Sequence, residues 1–306
     1  MFAKLLSKRK TLTVAPTKAP PLERFGSLQA YLAMRETRGA ELEARRRMED
    51  AVAALARLAP FHYRCGAHGG TTSFTLDPDA DAEVNWRESM LCPDCQLNGR
   101  MRFCAGILTQ WMDARPQARI YLTEQATHGY ALLKRRFGHV VGSEYIHDQE
   151  RRKAVQNYIR HITGDSSEVL RIEDVTRLSF ADASFEIVAS FEVLEHVPDY
   201  RLALREMARV LGRGGQLLLT APFLETTQDT LTRARLEADG SITHLLPPEY
   251  HGDPVSDGVL CFHHFGWDLL DALREAGFES AEVVSSFAPA YGLLGGAMLA
   301  ITARKR

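Results

Sequence analysis

The stretch from Val169 to Phe223 limits the fold more than any other part of the chain. Residues 169–172, 186–190 and 216–220 are short apolar runs of strand length, and residues 201–211 carry helical spacing. Strand, loop, strand, helix and strand in that order make half of a doubly wound α/β sheet. The alternation begins earlier, at Arg119. Residues 120–123 read as a strand, 128–137 as a helix closed by Gly138, and 139–143 as a second strand. Residues 149–165 are polar and give no clear element. Further on, residues 267–276 read as a helix with Gly277 at its C-cap position. Residues 281–285 and 298–302 are the last two strands, expected as an antiparallel hairpin. The expected fold class is therefore α/β: a doubly wound, mostly parallel sheet with its last strand antiparallel. Such sheets bind ligands outside the carboxyl ends of their strands.

The 306 residues have room for one large domain, or one domain and a small one. Hydrophobic content of 45% and charged content of 25% are ordinary for a globular protein. A formal charge of -2 gives no global positive field for nucleic acid. Lys4, Lys8, Arg9, Lys10 and Lys18 precede the first acid, Glu23, so residues 1–26 are expected to be a disordered basic tail. Ser27 is placed to cap one helix running to Leu58, with Met48, Val52 and Leu55 on its packed face. No apolar run is long enough to span a bilayer, and no clean apolar core of a secretory signal is present. Cytoplasmic residence and reduced thiols are the expectation. The division expected is a tail over 1–26, a helical and cysteine-bearing module over 27–117, and the α/β domain over 118–306. A long polar insert at about 224–264 interrupts that domain, and such a segment is usually functional or flexible.

Cysteine spacing is the second strong signal. Cys65-Gly66-Ala67-His68 and Cys92-Pro93-Asp94-Cys95 each place two ligand-capable side chains three positions apart. A pair of that spacing lets both side chains reach one tetrahedral ion from a tight turn. Cys65, His68, Cys92 and Cys95 are expected to hold a structural Zn2+, since four protein ligands leave no open position. His62 and Cys104 are rivals for the histidine's place. Cys104 falls on the apolar stripe of a helix over 100–114, and Cys261 is remote.

Glu173-Asp174-Val175, the turn Phe180-Ala181-Asp182-Ala183-Ser184-Phe185, the run Phe191-Glu192-Val193-Leu194-Glu195-His196-Val197 and Leu211-Gly212-Arg213-Gly214-Gly215 before a strand form a further pattern. Together they resemble class I S-adenosylmethionine-dependent methyltransferases of the type 11 kind, over roughly residues 118–225. The resemblance implies a Rossmann-like sheet and S-adenosyl-L-methionine as cofactor. By position it implies Glu144 for the ribose hydroxyls, Asp174 and Val175 for the adenine, and Phe191 on the edge of the methyl-donor pocket. Glu124, Ala126 and Thr127 fall in the first loop, beside the methionine part of the cofactor. That loop departs from the family: Ala126, His128 and Tyr130 stand where glycines are expected. Glycine is used there because it lets the backbone approach a ligand. The departure also argues against a nicotinamide dehydrogenase, which needs that loop for a pyrophosphate.

The segments Val84-Asn85-Trp86-Arg87-Glu88, Asn98-Gly99-Arg100-Met101-Arg102 and Tyr250-His251-Gly252-Asp253-Pro254 are similar to bacterial methyltransferase-like proteins with a cysteine-bearing N-terminal segment. The function implied is methyl transfer to an oxygen or nitrogen of a small molecule or carbohydrate precursor. A base is needed only where the acceptor loses a proton. The insert supplies candidates in His244, Glu249, Tyr250, His251, Asp253, His263 and His264, and His251 oriented by Asp253 is the expected base. Adjacent histidines such as His263 and His264 point to opposite faces of an extended segment, so both are not expected on one ion. His196 is read as structural. Two alternatives stand beside this reading: a non-catalytic binding or scaffold protein with an altered first loop, and an RNA modifier gripping its substrate through the cysteine module, Arg45, Arg46, Arg47, Arg100 and Arg102. The charge balance and the few interleaved aromatics argue against nucleic acid. The oligomeric state is left open.

Overall fold

The computed structural model describes residues 20–78, 84–253 and 256–306, without the side chains of residues 253, 256, 257, 296 and 297. The chain begins with β1 (Glu23–Phe25), α1 (Leu28–Thr37), α2 (Gly39–Leu58), β2 (Phe61–Arg64), β3 (Thr71–Phe74) and α3 (Gly99–Ala114). It continues with β4 (Ile120–Leu122), α4 (His128–Arg136), β5 (Val140–Gly142), α5 (Gln149–Thr163), β6 (Phe185–Phe191), α6 (Tyr200–Val210) and β7 (Leu211–Thr220). The insert holds β8 (Leu231–Thr232), β9 (Ala234–Leu236), β10 (Ile242–His244), β11 (Tyr250–Asp253), β12 (Ser256–Leu260) and β13 (His263–His264). The chain closes with α7 (Leu269–Glu275), β14 (Phe278–Ala288) and β15 (Leu293–Lys305).

Seven of these strands form one sheet in the order β1-β14-β15-β7-β6-β4-β5. β4, β5, β6 and β7 run parallel to one another. β15 runs antiparallel to both β7 and β14, as the expected closing hairpin. The chain order along the sheet reverses between β4, which pairs with β6 on one side and β5 on the other. A crevice for a ligand opens at such a switch point, outside the carboxyl ends of the strands. The fold is α/β and doubly wound.

Each face of the sheet is covered by helices. On one face, Leu204 and Met207 of α6 and Leu269 and Leu273 of α7 pack against Leu217, Leu219 and Val283. α6 shows how sequence builds this layer. Asp199 caps it by accepting a hydrogen bond from the Leu202 N–H at 3.0 Å. Ala203, Leu204, Met207 and Ala208 then recur at helical spacing and are buried. Burying a side chain of the Leu or Met kind contributes about 1.5–3 kcal/mol. On the other face, Phe103, Ile107 and Leu108 of α3, Leu133 of α4 and Val155 and Ile159 of α5 meet Ile120, Ile187 and Leu218. α3 thus packs in the helical layer on this face of the sheet.

Other expectations need correction. Residues 23–25 are not tail but β1, the edge strand against β14; residues 1–19 lie outside the described part. The expected single helix is two, broken at Arg38, whose φ of -110° and ψ of 23° are not helical. Its guanidinium bonds Glu23 and Glu41, which fixes the bend. Met48 and Leu55 face outward, and the buried face of α2 is Glu49, Val52, Ala53 and Ala56. The helical period was right and its phase wrong, because Glu49 turns inward to accept the Gly295 N–H at 2.7 Å. Residues 169–172 do not form a strand: Ile172 makes one parallel bridge to Glu144. Residues 149–163 are a full helix, α5, capped by Asp148 and ended by Gly164 in the left-handed region.

The cysteine-bearing segment is joined to the sheet by Arg102, which is 1% exposed. Its Nη1 donates to the carbonyls of Met90 and Leu97, and its Nη2 to the carbonyl of Gly292 at 2.6 Å. The guanidinium also lies 4.8 Å from the Tyr63 ring centre. Arg102→Met keeps the apolar stem but leaves these buried carbonyls without donors. Each orphaned group costs about 1–3 kcal/mol, so the variant is expected to lose about 3 kcal/mol or more in chemical denaturation. Unchanged stability would refute this role.

Candidate functional site

The loop between β4 and α4 lies at the carboxyl end of the sheet and contains the departed glycine pattern. Ala126 is 2% exposed and is not among the residues with positive φ, so a methyl group there is accommodated without strain. The amides of Gln125 and Ala126 both donate to one carboxylate oxygen of Glu144, at 2.7 and 2.5 Å. Glu144 follows β5 directly, so the second strand's acid holds the first strand's loop. Gln125 turns its side chain inward, donating to the Val169 carbonyl at 2.9 Å and accepting from the Arg171 N–H at 3.0 Å. This ties the loop to the segment that carries Asp174. Asp174 is half-buried, and its Oδ1 accepts from the N–H and hydroxyl of Thr176.

The space that a glycine in α4 normally supplies has moved to the neighbouring strand. Tyr130 is 1% exposed and its ring packs against Gly142 of β5, where an added Cβ would stand 2.8 Å from the ring. Tyr130 also donates its hydroxyl proton to Glu168 at 2.5 Å. His128 is half-buried in the first turn of α4. Burial lowers its pKa first, and the charges of Arg135 and His161 lower it further. Thr127 caps α4 by accepting from the Tyr130 N–H at 3.1 Å.

Glu124 lies beneath this loop. Its Oε2 accepts from the Thr123 hydroxyl at 3.0 Å and stands 3.4 Å from the Phe191 N–H. Its Oε1 is buried with no hydrogen-bond partner. Burial, added to by the Glu144 charge and opposed by the Thr123 hydroxyl, pushes its carboxyl up to about 8. Phe191 ends β6 and is buried. The next residue, Glu192, holds φ at 54°, a left-handed conformation uncommon outside glycine and enriched at functional sites. Arg87 binds its carboxylate at 2.9 Å, and Arg100 stands 3.7 Å away. Burial works against the Glu192 charge, but these two guanidinium groups hold its pKa low. Arg100 also pairs with Glu88 at 2.9 Å. The cysteine-bearing segment therefore delivers two arginines to the carboxyl end of β6, and Arg100 and Arg102 are internal rather than offered to RNA. A separate cavity of about 130 Å³, lined by Arg87, Thr220, Phe223, Glu225 and Ile301, lies on the β7–β15 side.

Cys65, His68, Cys92 and Cys95 are all buried, with ligand atoms within 4.8 Å of one another. Two matching turns present them. The Cys65 N–H donates to the Gly70 carbonyl and the Gly69 N–H to the Cys65 carbonyl. The Cys92 N–H likewise donates to the Leu97 carbonyl and the Gln96 N–H to the Cys92 carbonyl. The fifth residue of each turn has positive φ, 76° at Gly69 and 60° at Gln96. His68 Nδ1 accepts from the Gly70 N–H at 3.1 Å, leaving Nε2 facing Cys92 Sγ at 3.3 Å. A partner on one ring nitrogen fixes which nitrogen is presented to an ion. Of the rivals, His62 is exposed on β2. Cys104 is buried in α3, where burial pushes its thiol up to about 12.

In the insert, Glu249 Oε1 accepts from His251 Nε2 at 2.9 Å and His264 Nε2 at 3.0 Å, while Arg233 binds Oε2 at 3.1 Å. Glu195, after β6, stands 3.8 Å from His251 Nδ1. The carboxylates of Glu195 and Glu249 push His251 up to about 9, against the effect of burial. Its neighbours are thus Glu249 and Glu195. The side chain of Asp253 lies outside the described part. His263 turns the opposite way from His264, with Nε2 against the Pro198 carbonyl at 3.2 Å. His244 and Tyr250 are exposed. His196 is bonded through Nδ1 with the Leu260 carbonyl at 2.9 Å, a structural contact as expected.

Residues 104–219 match the family described as a methyltransferase domain. This part of the chain is similar to methyltransferase domains. It is 29% identical over 174 residues to a probable S-adenosylmethionine-dependent methyltransferase of Mycolicibacterium smegmatis, covering 53% of this chain and 66% of that protein. It is 36% identical over 126 residues to the 27-O-demethylrifamycin SV methyltransferase of Amycolatopsis mediterranei, covering 40% of each. The match thus spans less than two thirds of either relative. Among solved structures, the S-adenosylmethionine-bound amino pentose methyltransferase CalS10 of Micromonospora echinaspora is similar at 18% identity and a TM-score of 0.44, covering 68% of this chain and 92% of that one.

Within the matched region, Glu124, Ala126, Thr127, Glu144, Asp174 and Phe191 lie around the ends of β4, β5 and β6 and the segment bridged to them. The roles of Arg87, Arg100, Glu192 and Glu195 were missed. A strained backbone at Glu192 and an ion pair formed across 105 residues leave no local pattern in sequence. None of the helices described is long and apolar enough to cross a membrane.

A buried carboxyl with its pKa raised from 4.5 to about 8 makes stability depend on pH. Between those values the folded chain holds a proton that the unfolded chain releases. The contribution is thus fully present below pH 4.5 and is lost as pH rises through about 8. Glu124→Gln is expected to remove up to about 1.4 kcal/mol per pH unit of that slope. Denaturation from pH 5.5 to 8.5 checks this, and equal slopes for both proteins would sink it.

Proposed function

We propose that this chain transfers a methyl group from S-adenosylmethionine to an oxygen or nitrogen of a small-molecule or carbohydrate-precursor acceptor. The observation that carries the reading is the loop after β4: a buried Glu124 with one unpaired oxygen, below amides gathered by Glu144. An unpaired buried carboxyl oxygen is costly, and the ammonium of a methionine moiety, which would favour the ionised form, is a fitting partner. In this reading Glu144 serves the ribose, and Asp174 with Val175 the adenine. Ala126, Thr127 and Phe191 supply the walls. When bound, the cofactor supplies an electrophilic methyl group on a sulfonium.

The chain's own contribution is placement and exclusion of water. Glu144 fixes the loop, Gln125 ties it to the Asp174 segment, and Arg87 and Arg100 hold the strained end of β6 in one position. Orientation of this kind is the main source of rate in a direct displacement. The acceptor class is supported by the relative named for 27-O-demethylrifamycin SV and by the family resemblance of residues 169–223. The Cys65, His68, Cys92 and Cys95 set is proposed to hold zinc in a structural role, for its buried tetrad of soft ligands and paired turns. The insert ribbons, lying beside the end of β6, are proposed to face the acceptor.

Calorimetric titration with S-adenosylmethionine and S-adenosylhomocysteine tests the reading. Measurable binding is expected, weakened at least about tenfold in Glu144→Ala, since a charged hydrogen-bond acceptor contributes about 1.5–3 kcal/mol per bond. No binding by folded, metal-loaded protein would overturn it. The zinc proposal has its own check. Metal analysis is expected to find one equivalent of zinc that His264→Gln keeps and Cys95→Ser loses, with chelation lowering the melting temperature of the parent. Protein without zinc at that position, unmoved by chelator, would refute it.

A further inference from the structure

We propose that Glu249, His251, Cys261 and His264 form a further divalent metal site, of the zinc class, that fastens the insert to the carboxyl end of β6. One carboxylate oxygen, two imidazole nitrogens and one thiol sulfur lie within 4.8 Å of one another here. The local fold brings them together. Glu249 and His251 are two positions apart in an extended segment and so share a face. The Cys261 N–H donates to the Glu249 carbonyl at 2.8 Å, which holds the second ligand segment against the first. His264 then reaches the same point, while His263 turns away.

The donor set selects the ion. Calcium and magnesium take oxygen ligands, whereas mixed thiolate, imidazole and carboxylate ligands suit zinc and its neighbours in the transition series. Arg233 occupies Glu249 Oε2, so Oε1 is the oxygen turned to the histidines. Binding displaces the Cys261 thiol proton to solvent, and each histidine binds as a neutral imidazole with Nε2 free for the ion and its one proton on Nδ1. Thiolate and carboxylate then balance the dication.

Glu195 supplies the independent observation. Its side chain is 0% exposed, and neither oxygen lies within hydrogen-bond distance of a donor. Its Oε1 stands 3.8 Å from His251 Nδ1 and 3.7 Å from His196 Nε2, whose ring is already bonded through Nδ1 with the Leu260 carbonyl. An imidazole bound to an ion through Nε2 keeps its proton on Nδ1, and a carboxylate beside that nitrogen is the usual partner of a metal-bound histidine. Glu195 is thus a positioning residue for the ligand His251. This assignment takes the place of the base role expected for His251 and does not depend on methyl transfer.

Metal content of the full chain, measured by elemental mass spectrometry, is the test. His264→Gln and Cys261→Ser, shown folded by circular dichroism, are each expected to lose one equivalent that Cys95→Ser retains. Glu195→Gln removes no ligand, so it reports even where a ligand variant does not fold. It is expected to weaken zinc binding by about 10–100-fold in competition with a chelating dye. Metal content in His264→Gln and Cys261→Ser equal to that of the parent, or unchanged affinity in Glu195→Gln, would overturn the proposal. Metal lost in His264→Gln but unaffected in Cys95→Ser would support it while refuting zinc at the Cys65 cluster.

Discussion

One buried cation joins the two halves of this chain. Arg102 sits in the first turns of α3, a helix that belongs to the sheet, yet it spends its donors on carbonyls from both sides of the cysteine turn and from the closing hairpin. A guanidinium can do this because its donors are fixed in a planar fork and it never loses its charge. The carbonyls of Met90 and Leu97 flank the Cys92 turn, so Arg102 and a metal ion at the turn would constrain the same few residues from opposite sides. Arg87 and Arg100 depend on that anchorage, since both must arrive at Glu192 from this segment.

The α/β alternation was legible because each parallel strand is short, apolar and bounded by a helix of ordinary amphipathic period. What sequence hid was what only three dimensions decide. The phase of α2 turned on a buried carboxylate, Glu49, serving a backbone amide 246 residues away. The supposed strand at 169–172 became a bridge because its backbone groups are met by Gln125 and Gln156 side chains instead of a ladder. The break at Arg38 carries no proline, only a cluster of charges.

The candidate site was half legible. Glu124, Glu144 and Asp174 were singled out by their order after successive strands, since position in such a sheet fixes which loops converge. Cys65, His68, Cys92 and Cys95 were found through spacing, since each pair is local. Glu195 was passed over, because a carboxylate inside an apolar run has no signature of its own until its neighbours are known. His251 was singled out with Asp253 as its partner; the contact the structure describes is with Glu249, two positions before it.

The contact between Tyr130 and Gly142 has a wider consequence. The room needed for α4 to lie close to the sheet is a property of the interface, and either side of the interface can give it up. Here the helix keeps an aromatic ring and the strand gives up its side chain. The two positions therefore act as one volume, and a larger residue at 142 is compatible with this fold only where position 130 shrinks. A loop that has lost its glycines has not, for that reason alone, lost its capacity to bind. The missing atoms must be sought across the strand as well as along it.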